Sequence, residues 1–81
     1  MTGPAEFSRV RWRGGYAPEE VDAFVERLAA TLNGQPIGPP MTPEDVRNVS
    51  FTPVRLREGY AFEEVDQFLE LAEAKLIEQQ R

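Results

Sequence analysis

The sequence predicts a mainly α-helical fold in which two repeated units, each a short β-like arm, a turn and a helix, pack about a pseudo-twofold axis with their helices side by side. Three observations lead to this prediction: an internal repeat, an apolar helical face in each copy, and a turn-rich linker between the copies. The chain has 81 residues, of which 41% are hydrophobic, so it contains material for one small core. We therefore expect the two copies to share that core.

An internal repeat dominates the sequence. Residues 7–26 are FSRVRWRGGYAPEEVDAFVE and residues 51–70 are FTPVRLREGYAFEEVDQFLE, and 13 of these 20 aligned positions are identical at a constant offset of 44 residues. Two copies are too few for a solenoid, so we expect them to close on each other. The predicted division is repeat 1 over residues 1–34, a Pro/Gly linker over residues 35–42 and repeat 2 over residues 43–81.

Each repeat contains an arm, predicted over residues 7–13 and 51–57. Val10 to Arg13 and Val54 to Arg57 alternate apolar and basic residues, which is typical of a short strand. Glycine follows each arm, and we expect a sharp change of direction there because glycine adopts positive φ angles at little cost.

A helix follows each arm, predicted over about residues 18–33 and 62–79. Pro18 suits the first helical position, and acidic residues in the first turn favour the positive end of the helix dipole. Gly34 is the expected left-handed cap of the first helix. A short helical turn is predicted over residues 43–48. The length of the linker allows either a parallel or an antiparallel pair of helices.

Apolar positions that recur in both copies are predicted to form the shared core. These positions are Phe7, Val10, Tyr16, Val21, Phe24, Leu28, Phe51, Val54, Tyr60, Val65, Phe68, Leu69 and Leu76. Trp12 and Leu56 occupy equivalent positions in the two arms and admit two interpretations. They pack inside, where a tryptophan buries a large apolar area, or they lie on the surface and contact a partner.

Composition excludes several kinds of chemistry. The chain has no cysteine and no histidine, which excludes disulfides, thiolate catalysis and imidazole ligands. We expect no catalytic residue, no metal site, no cofactor and no small-molecule substrate. Acidic residues recur three and four positions apart in both helices, and we interpret them as solvated helix faces: Glu19, Asp22, Glu26, Glu63, Asp66 and Glu70.

The sequence also predicts a cytoplasmic location. No apolar run approaches the roughly 18 residues of a membrane span. The first residues, Met1 to Pro4, lack the basic and apolar regions of a secretory signal.

Charge is segregated between arms and helices, within a net charge of −5. Residues 7–16 carry +3 and residues 51–60 carry +1, whereas residues 17–34 carry −3 and residues 61–81 carry −4. One interpretation pairs the arm arginines with helix acids such as Asp22. The other places the basic arms against an anionic surface, since a basic residue gains about 1 kcal/mol near acidic lipid. Nucleic acid is not an expected partner, because the acidic helices would repel phosphates.

Both repeats share the motif F-x-x-V-R-[WL]-R-x-G-Y-A-x-E-E-V-D-x-F-[VL]-E, and repeat 2 begins with MTPEDVRNVSF. This motif resembles the N-terminal module of the DivIVA family of bacterial division and polar-growth scaffolds, especially the repeated DivIVA domains of actinobacterial proteins. The resemblance covers residues 41–76 closely and residues 7–32 well. It implies a non-enzymatic module whose helices pair in parallel and whose crossed arms present an apolar residue followed by arginine to the membrane. The matching positions are Trp12-Arg13 and Leu56-Arg57.

The chain departs from the family's motif by one additional residue between the arginine and the Gly-Tyr pair. This residue is Gly14 in repeat 1 and Glu58 in repeat 2, and Glu58 lowers the positive charge of the second arm. The resemblance implies a scaffold or adaptor in bacterial cell division or polar envelope growth. Its expected location is the cytoplasm, including the inner face of the cell membrane at the septum or pole. The expected contact residues are Arg11, Trp12, Arg13, Arg55, Leu56 and Arg57.

The expected partners are proteins, including a second copy of the chain through Leu71 and Ile77, and an anionic membrane surface. The alternative is a small cytosolic regulatory module that binds proteins and has no membrane role. In that alternative, the basic arms only close the fold.

Overall fold

Four short strands and three helices make up the part of the chain that the computed structural model describes, which is residues 7–11 and 13–80. The strands are β1 (Arg9–Val10), β2 (Gly15–Tyr16), β3 (Pro53–Val54) and β4 (Gly59–Ala61). The helices are α1 (Pro18–Leu32), α2 (Pro43–Asn48) and α3 (Phe62–Gln79). Helix accounts for 53% of this part and the strands form one antiparallel sheet, so the domain is a small α/β domain.

The prediction of a mainly α fold with two repeated arm-turn-helix units is therefore wrong. The arms do not merely flank the helices, because they form a four-stranded sheet in the order β1–β4–β2–β3. Each strand has only two or three residues, so alternation along the sequence did not show which segments pair. The sheet depends on contacts between distant parts of the chain, and these are invisible to local patterns.

Among the described residues, strands pair only between the repeats. β1 pairs with β4, which aligns Arg9 with Tyr60, and β2 pairs with β3, which aligns Tyr16 with Pro53. At the centre of the sheet, β2 pairs with β4 so that Tyr16 lies opposite Tyr60. Arg9 and Pro53 are 44 residues apart, as are the two tyrosines, so both halves of the sheet use equivalent positions.

Glycines allow the strands to approach closely at the centre of the sheet. A Cβ atom on Gly15 would lie 2.5 Å from the backbone oxygen of Tyr60, and one on Gly59 would lie 2.7 Å from Cγ2 of Val54. Gly14, with a φ of +88°, turns the chain from β1 into β2.

The helices occupy the positions at which the sequence predicts them. α1 is followed by Gly34, which has a φ of +80° and donates its N–H to the oxygen of Thr31 at 3.1 Å. α2 begins with a capping box, in which the Thr42 hydroxyl accepts the Asp45 N–H at 3.1 Å and the Asp45 carboxylate accepts the Thr42 N–H at 3.0 Å. None of the described helices is both long enough and apolar enough to cross a membrane.

Buried apolar side chains form two layers between the helices. The layer next to the sheet contains Val21, Val25, Tyr60 and Val65. The second layer contains Leu28, Met41, Val46, Ala72 and Leu76. Because the early turns of α1 and α3 share one layer and their later turns share the other, the two helices run parallel away from the sheet. The structure thereby decides between the two helix orientations that the sequence left open.

The predicted core residues differ in how deeply they are buried. Those buried are Val21, Leu28, Tyr60, Val65 and Leu76. Those half-buried are Phe7, Val10, Tyr16, Phe24, Phe51, Val54, Phe68 and Leu69. Two further residues are buried that the sequence did not predict as core: Val46, because α2 packs against α3, and Met41, which packs in the same cluster.

We expect Gly15→Ala to destabilise the fold by about 2 kcal/mol or more, because the new Cβ atom would force the two central strands apart. Gly38→Ala is the matched control, since Gly38 has a φ of +74° and no atom within 4 Å of its Cβ position. Gly38→Ala should destabilise the fold by only about 1 kcal/mol, because alanine must adopt the left-handed conformation there. Urea unfolding followed by circular dichroism measures both, and equal losses would contradict the close crossing of β2 and β4.

Candidate functional site

The turn between the two strands of each repeat lies at the end of an arm. We call these turns the arm tips: tip 1 is residues 11–13 and tip 2 is residues 55–57. The predicted contact residues that the structure describes are all exposed there, namely Arg11, Arg13, Arg55, Leu56 and Arg57. Trp12, the sixth predicted contact residue, lies outside the described residues.

Leu56 is 84% exposed, so the interpretation that packs it inside the fold is wrong. The physical reason is the shortness of β3, which ends at Val54 and leaves Leu56 in the turn, clear of the sheet. A leucine in this position does not contribute to the core and is available for contact with a partner.

Two arginines of the arms are held by ion pairs. Arg57 contacts Glu19 of α1 at 2.8 Å, and Arg9 contacts Glu58 at 3.2 Å. The hydrogen bond from Arg57 lowers the pKa of the Glu19 carboxyl below its ordinary value. Because these side chains are largely exposed to water, the pairs orient the arms more than they stabilise the fold.

The remaining tip arginines form no ion pair with any described residue; they are Arg11, Arg13 and Arg55. A Cβ atom on Gly14 would lie 3.2 Å from Nη1 of Arg55, so this guanidinium of tip 2 lies against the residue that follows tip 1. Tip 2 therefore holds an arginine next to the end of tip 1, and the same tip carries the exposed Leu56 side chain.

Asp22 and Asp66 bind tyrosines rather than arginines. The hydroxyl of Tyr60 donates to Oδ1 of Asp22 at 2.8 Å, and the hydroxyl of Tyr16 donates to Oδ1 of Asp66 at 2.8 Å. Burial raises the pKa of both tyrosines above 10.0, and the hydrogen bonds to the aspartates raise it further. Each bond joins the sheet residue of one repeat to the helix of the other.

Two glutamates hold the bases of the arms. Glu20 accepts the N–H of Thr52 at 2.7 Å and its hydroxyl at 2.8 Å, and Glu64 accepts the N–H of Ser8 at 2.7 Å. The bond from Ser8 lowers the pKa of Glu64. These equivalent clamps also cross between the repeats, so the helix of one repeat fixes the arm of the other.

The interpretation of the repeated acids as solvated helix faces is therefore incomplete. Three of them have a partner in the other repeat: Glu19, Asp22 and Asp66. The other three are exposed: Glu26, Glu63 and Glu70. The signal in the sequence was the constant six-residue spacing from tyrosine to aspartate in both copies. Among the described residues, no group of three or more acids is placed to hold a metal ion.

Large apolar side chains are also exposed away from the tips. On α3, Leu71 is 69% exposed and Ile77 is 42% exposed, and Ile37 in the linker is 55% exposed. These residues leave apolar surface on the helical end of the molecule, opposite the arm tips.

Comparison of the chain with protein-family models, with curated proteins and with solved structures finds no match. The DivIVA resemblance therefore stays a prediction that depends on the repeated motif.

The tyrosine hydroxyls should make stability depend on pH. Since the folded state holds the tyrosine pKa values above 10.0, it keeps protons that the unfolded chain loses at high pH. We expect this contribution to be complete below pH 10 and to be lost as pH rises through the raised pKa values. At pH 8, the double variant Tyr16→Phe/Tyr60→Phe should have a free energy of unfolding about 1 kcal/mol lower per hydroxyl than the native chain. Between pH 8 and pH 11, the free energy of unfolding of the double variant should fall less than that of the native chain. Urea unfolding at pH 8 and pH 11 measures the free energy of unfolding of both proteins. An equal fall for the native chain and the double variant would contradict the prediction.

Proposed function

We propose that the chain is a non-enzymatic scaffold or adaptor module of bacterial cell division or polar envelope growth. It docks on an anionic membrane surface through the two arm tips and binds other proteins through its helical end. The observation that carries the proposal is Leu56, which is 84% exposed at a tip that also carries Arg55 and Arg57. The resemblance of the repeated motif to the DivIVA module supports the same assignment.

The chemistry of the tips suits an anionic lipid surface. Burying an exposed leucine in the acyl boundary gains about 1.5–3 kcal/mol, and each basic residue at the surface gains about 1 kcal/mol. Arg57 gives less than this because it already contacts Glu19. These gains support weak, reversible binding by one module, and strong binding requires several modules on one surface.

The geometry separates the two proposed contacts. The described part of the molecule measures 41 × 24 × 20 Å, with the tips at the sheet and the parallel helices running away from it. A module that docks by its tips therefore directs its helices away from the membrane. The proposed location is the inner face of the cell membrane, at the septum or pole.

A second candidate function is a regulatory module that binds proteins and has no membrane role. The ion pairs Arg57–Glu19 and Arg9–Glu58 favour it, because they use arm charges to close the fold. Amide hydrogen exchange at Arg11 and Arg13 separates the candidates. Fast exchange supports tips that are open to a membrane, and strong protection supports the closed regulatory module.

Flotation with vesicles of anionic lipid tests membrane docking. We expect the native chain to float with anionic vesicles and not with neutral ones, and Leu56→Ser to reduce the bound fraction about tenfold. Trp12→Ala and Arg13→Ala should weaken binding as well. Leu71→Ser is the matched control, since it removes an exposed leucine at the helical end, and it should float like the native chain.

Either of two results would contradict membrane docking: no flotation with anionic vesicles, or equal flotation of the native chain and the tip variants. Circular dichroism of each variant shows whether the fold is retained. Leu56 and Leu71 are both largely exposed, so neither serine variant should unfold the chain.

A further inference from the structure

Arg57 of tip 2 holds the carboxylate of Glu19 with two hydrogen bonds. Nη2 of Arg57 donates to Oε2 of Glu19 at 2.8 Å, and Nη1 donates to Oε1 at 3.4 Å. Each nitrogen thus faces its own oxygen, which is the paired geometry in which a guanidinium binds carboxylates and phosphates alike. Glu19 therefore occupies the side of Arg57 on which a phosphate group would bind.

The ion pair is open to water, beside the apolar residue of the tip. The side chain of Arg57 is 53% exposed and that of Glu19 is 65% exposed, and the neighbouring Leu56 is largely exposed as well. An ion pair that is this exposed shifts an equilibrium by no more than about fivefold. Another anion can therefore displace Glu19 from Arg57 without disturbing the core.

The other repeat lacks this contact. The 44-residue offset makes Arg13 the equivalent of Arg57 and Glu63 the equivalent of Glu19. Glu63 lies in the first turn of α3, as Glu19 lies in the first turn of α1, and both residues are exposed. Neither Arg13 nor Glu63 forms an ion pair with a described residue. The same two residue types thus pair in one half of the described molecule and not in the other.

The pair affects the arm that carries less positive charge. Residues 51–60 sum to +1, whereas residues 7–16 sum to +3. While Glu19 holds Arg57, tip 2 keeps Arg55 as an arginine without an ion pair to a described residue. Release of Arg57 would raise the number of such arginines at tip 2 from one to two.

An anionic lipid surface has the chemistry to release Arg57. Such a surface presents many phosphate groups near the tip, whereas Glu19 supplies a single carboxylate. The surface also attracts basic residues through its negative potential, and Leu56 can enter the acyl boundary at the same time. Docking of the tip thus places a second ligand for the guanidinium next to the first.

We propose that Arg57 is a phosphate-binding residue of tip 2 and that Glu19 is its internal competitor. When tip 2 meets an anionic membrane, the phosphate of a lipid headgroup replaces the Glu19 carboxylate on the Arg57 guanidinium. This inference rests on the proposed function, because it concerns the same docking event. It adds that the fold holds back one tip arginine, so Glu19 helps to set how much anionic lipid docking requires.

Binding to vesicles of phosphatidylglycerol and phosphatidylcholine in equal parts, measured as a Kd by flotation at increasing lipid concentration, tests the exchange. Glu19→Gln frees Arg57 and should bind these vesicles about two- to fivefold more tightly than the matched control Glu63→Gln. Each variant removes one negative charge from the first turn of a long helix, so both change the net charge and the helix dipole interaction alike. Neither variant should float with vesicles of phosphatidylcholine alone.

A second set of variants tests whether Arg57 carries the effect. In the Arg57→Gln background, Glu19→Gln should bind no more tightly than Glu63→Gln, because no guanidinium remains to be released. In the Arg13→Gln background, the advantage of Glu19→Gln should persist. All four side chains are exposed, and circular dichroism confirms that each variant folds.

The outcomes separate this inference from the proposed function. Equal binding of Glu19→Gln and Glu63→Gln would overturn the inference and leave membrane docking intact. An advantage of Glu19→Gln that persists in the Arg57→Gln background would also overturn it, since the effect would then come from the lost carboxylate alone. Binding by Glu19→Gln without binding by the native chain or Glu63→Gln would support it. If no variant binds anionic vesicles, both the docking and the inference are overturned.

Discussion

The antiparallel pairing of β2 with β4 sets Tyr16 opposite Tyr60 and ties the two repeats together at equivalent positions. The outer strand β1 of repeat 1 pairs with β4 of repeat 2, and the outer strand β3 of repeat 2 pairs with β2 of repeat 1. Each arm therefore crosses to the other half of the chain. The close crossing requires residues without side chains, and Gly15 and Gly59 provide them. The exposed tips at one end and the parallel helices at the other follow from this crossing.

Contacts between the repeats form the whole described sheet and fix each arm to the opposite helix. A domain of this size buries a limited apolar core, so polar contacts that fix one repeat against the other carry more weight than they would in a larger protein. The tyrosine–aspartate bonds and the glutamate clamps are all of this kind, and each occurs twice. The acids of the motif are thus part of the architecture as well as part of the surface.

The equivalence of the repeats is broken at the tips and at the helical end, the two surfaces to which we assign the proposed contacts. At the tips, Arg57 contacts Glu19, whereas its equivalent Arg13 forms no ion pair with a described residue. At the helical end, α2 covers one side of the helix pair, and the described residues of repeat 1 offer no matching helix. The two ends of the duplicated chain are therefore unequal.

The sequence by itself determined the repeat, the positions of the three helices, the glycine cap after α1 and most of the apolar positions, because each depends on local spacing or on single-residue conformational preferences. Only the tertiary structure decided the strand order, the parallel course of the helices, the exposure of Leu56 and the burial of Met41 and Val46. Strands of two residues have no partner-specific pattern, and α2 is recognised as core only when its place against α3 is known. These features arise from contacts between distant parts of the chain, which local patterns do not encode.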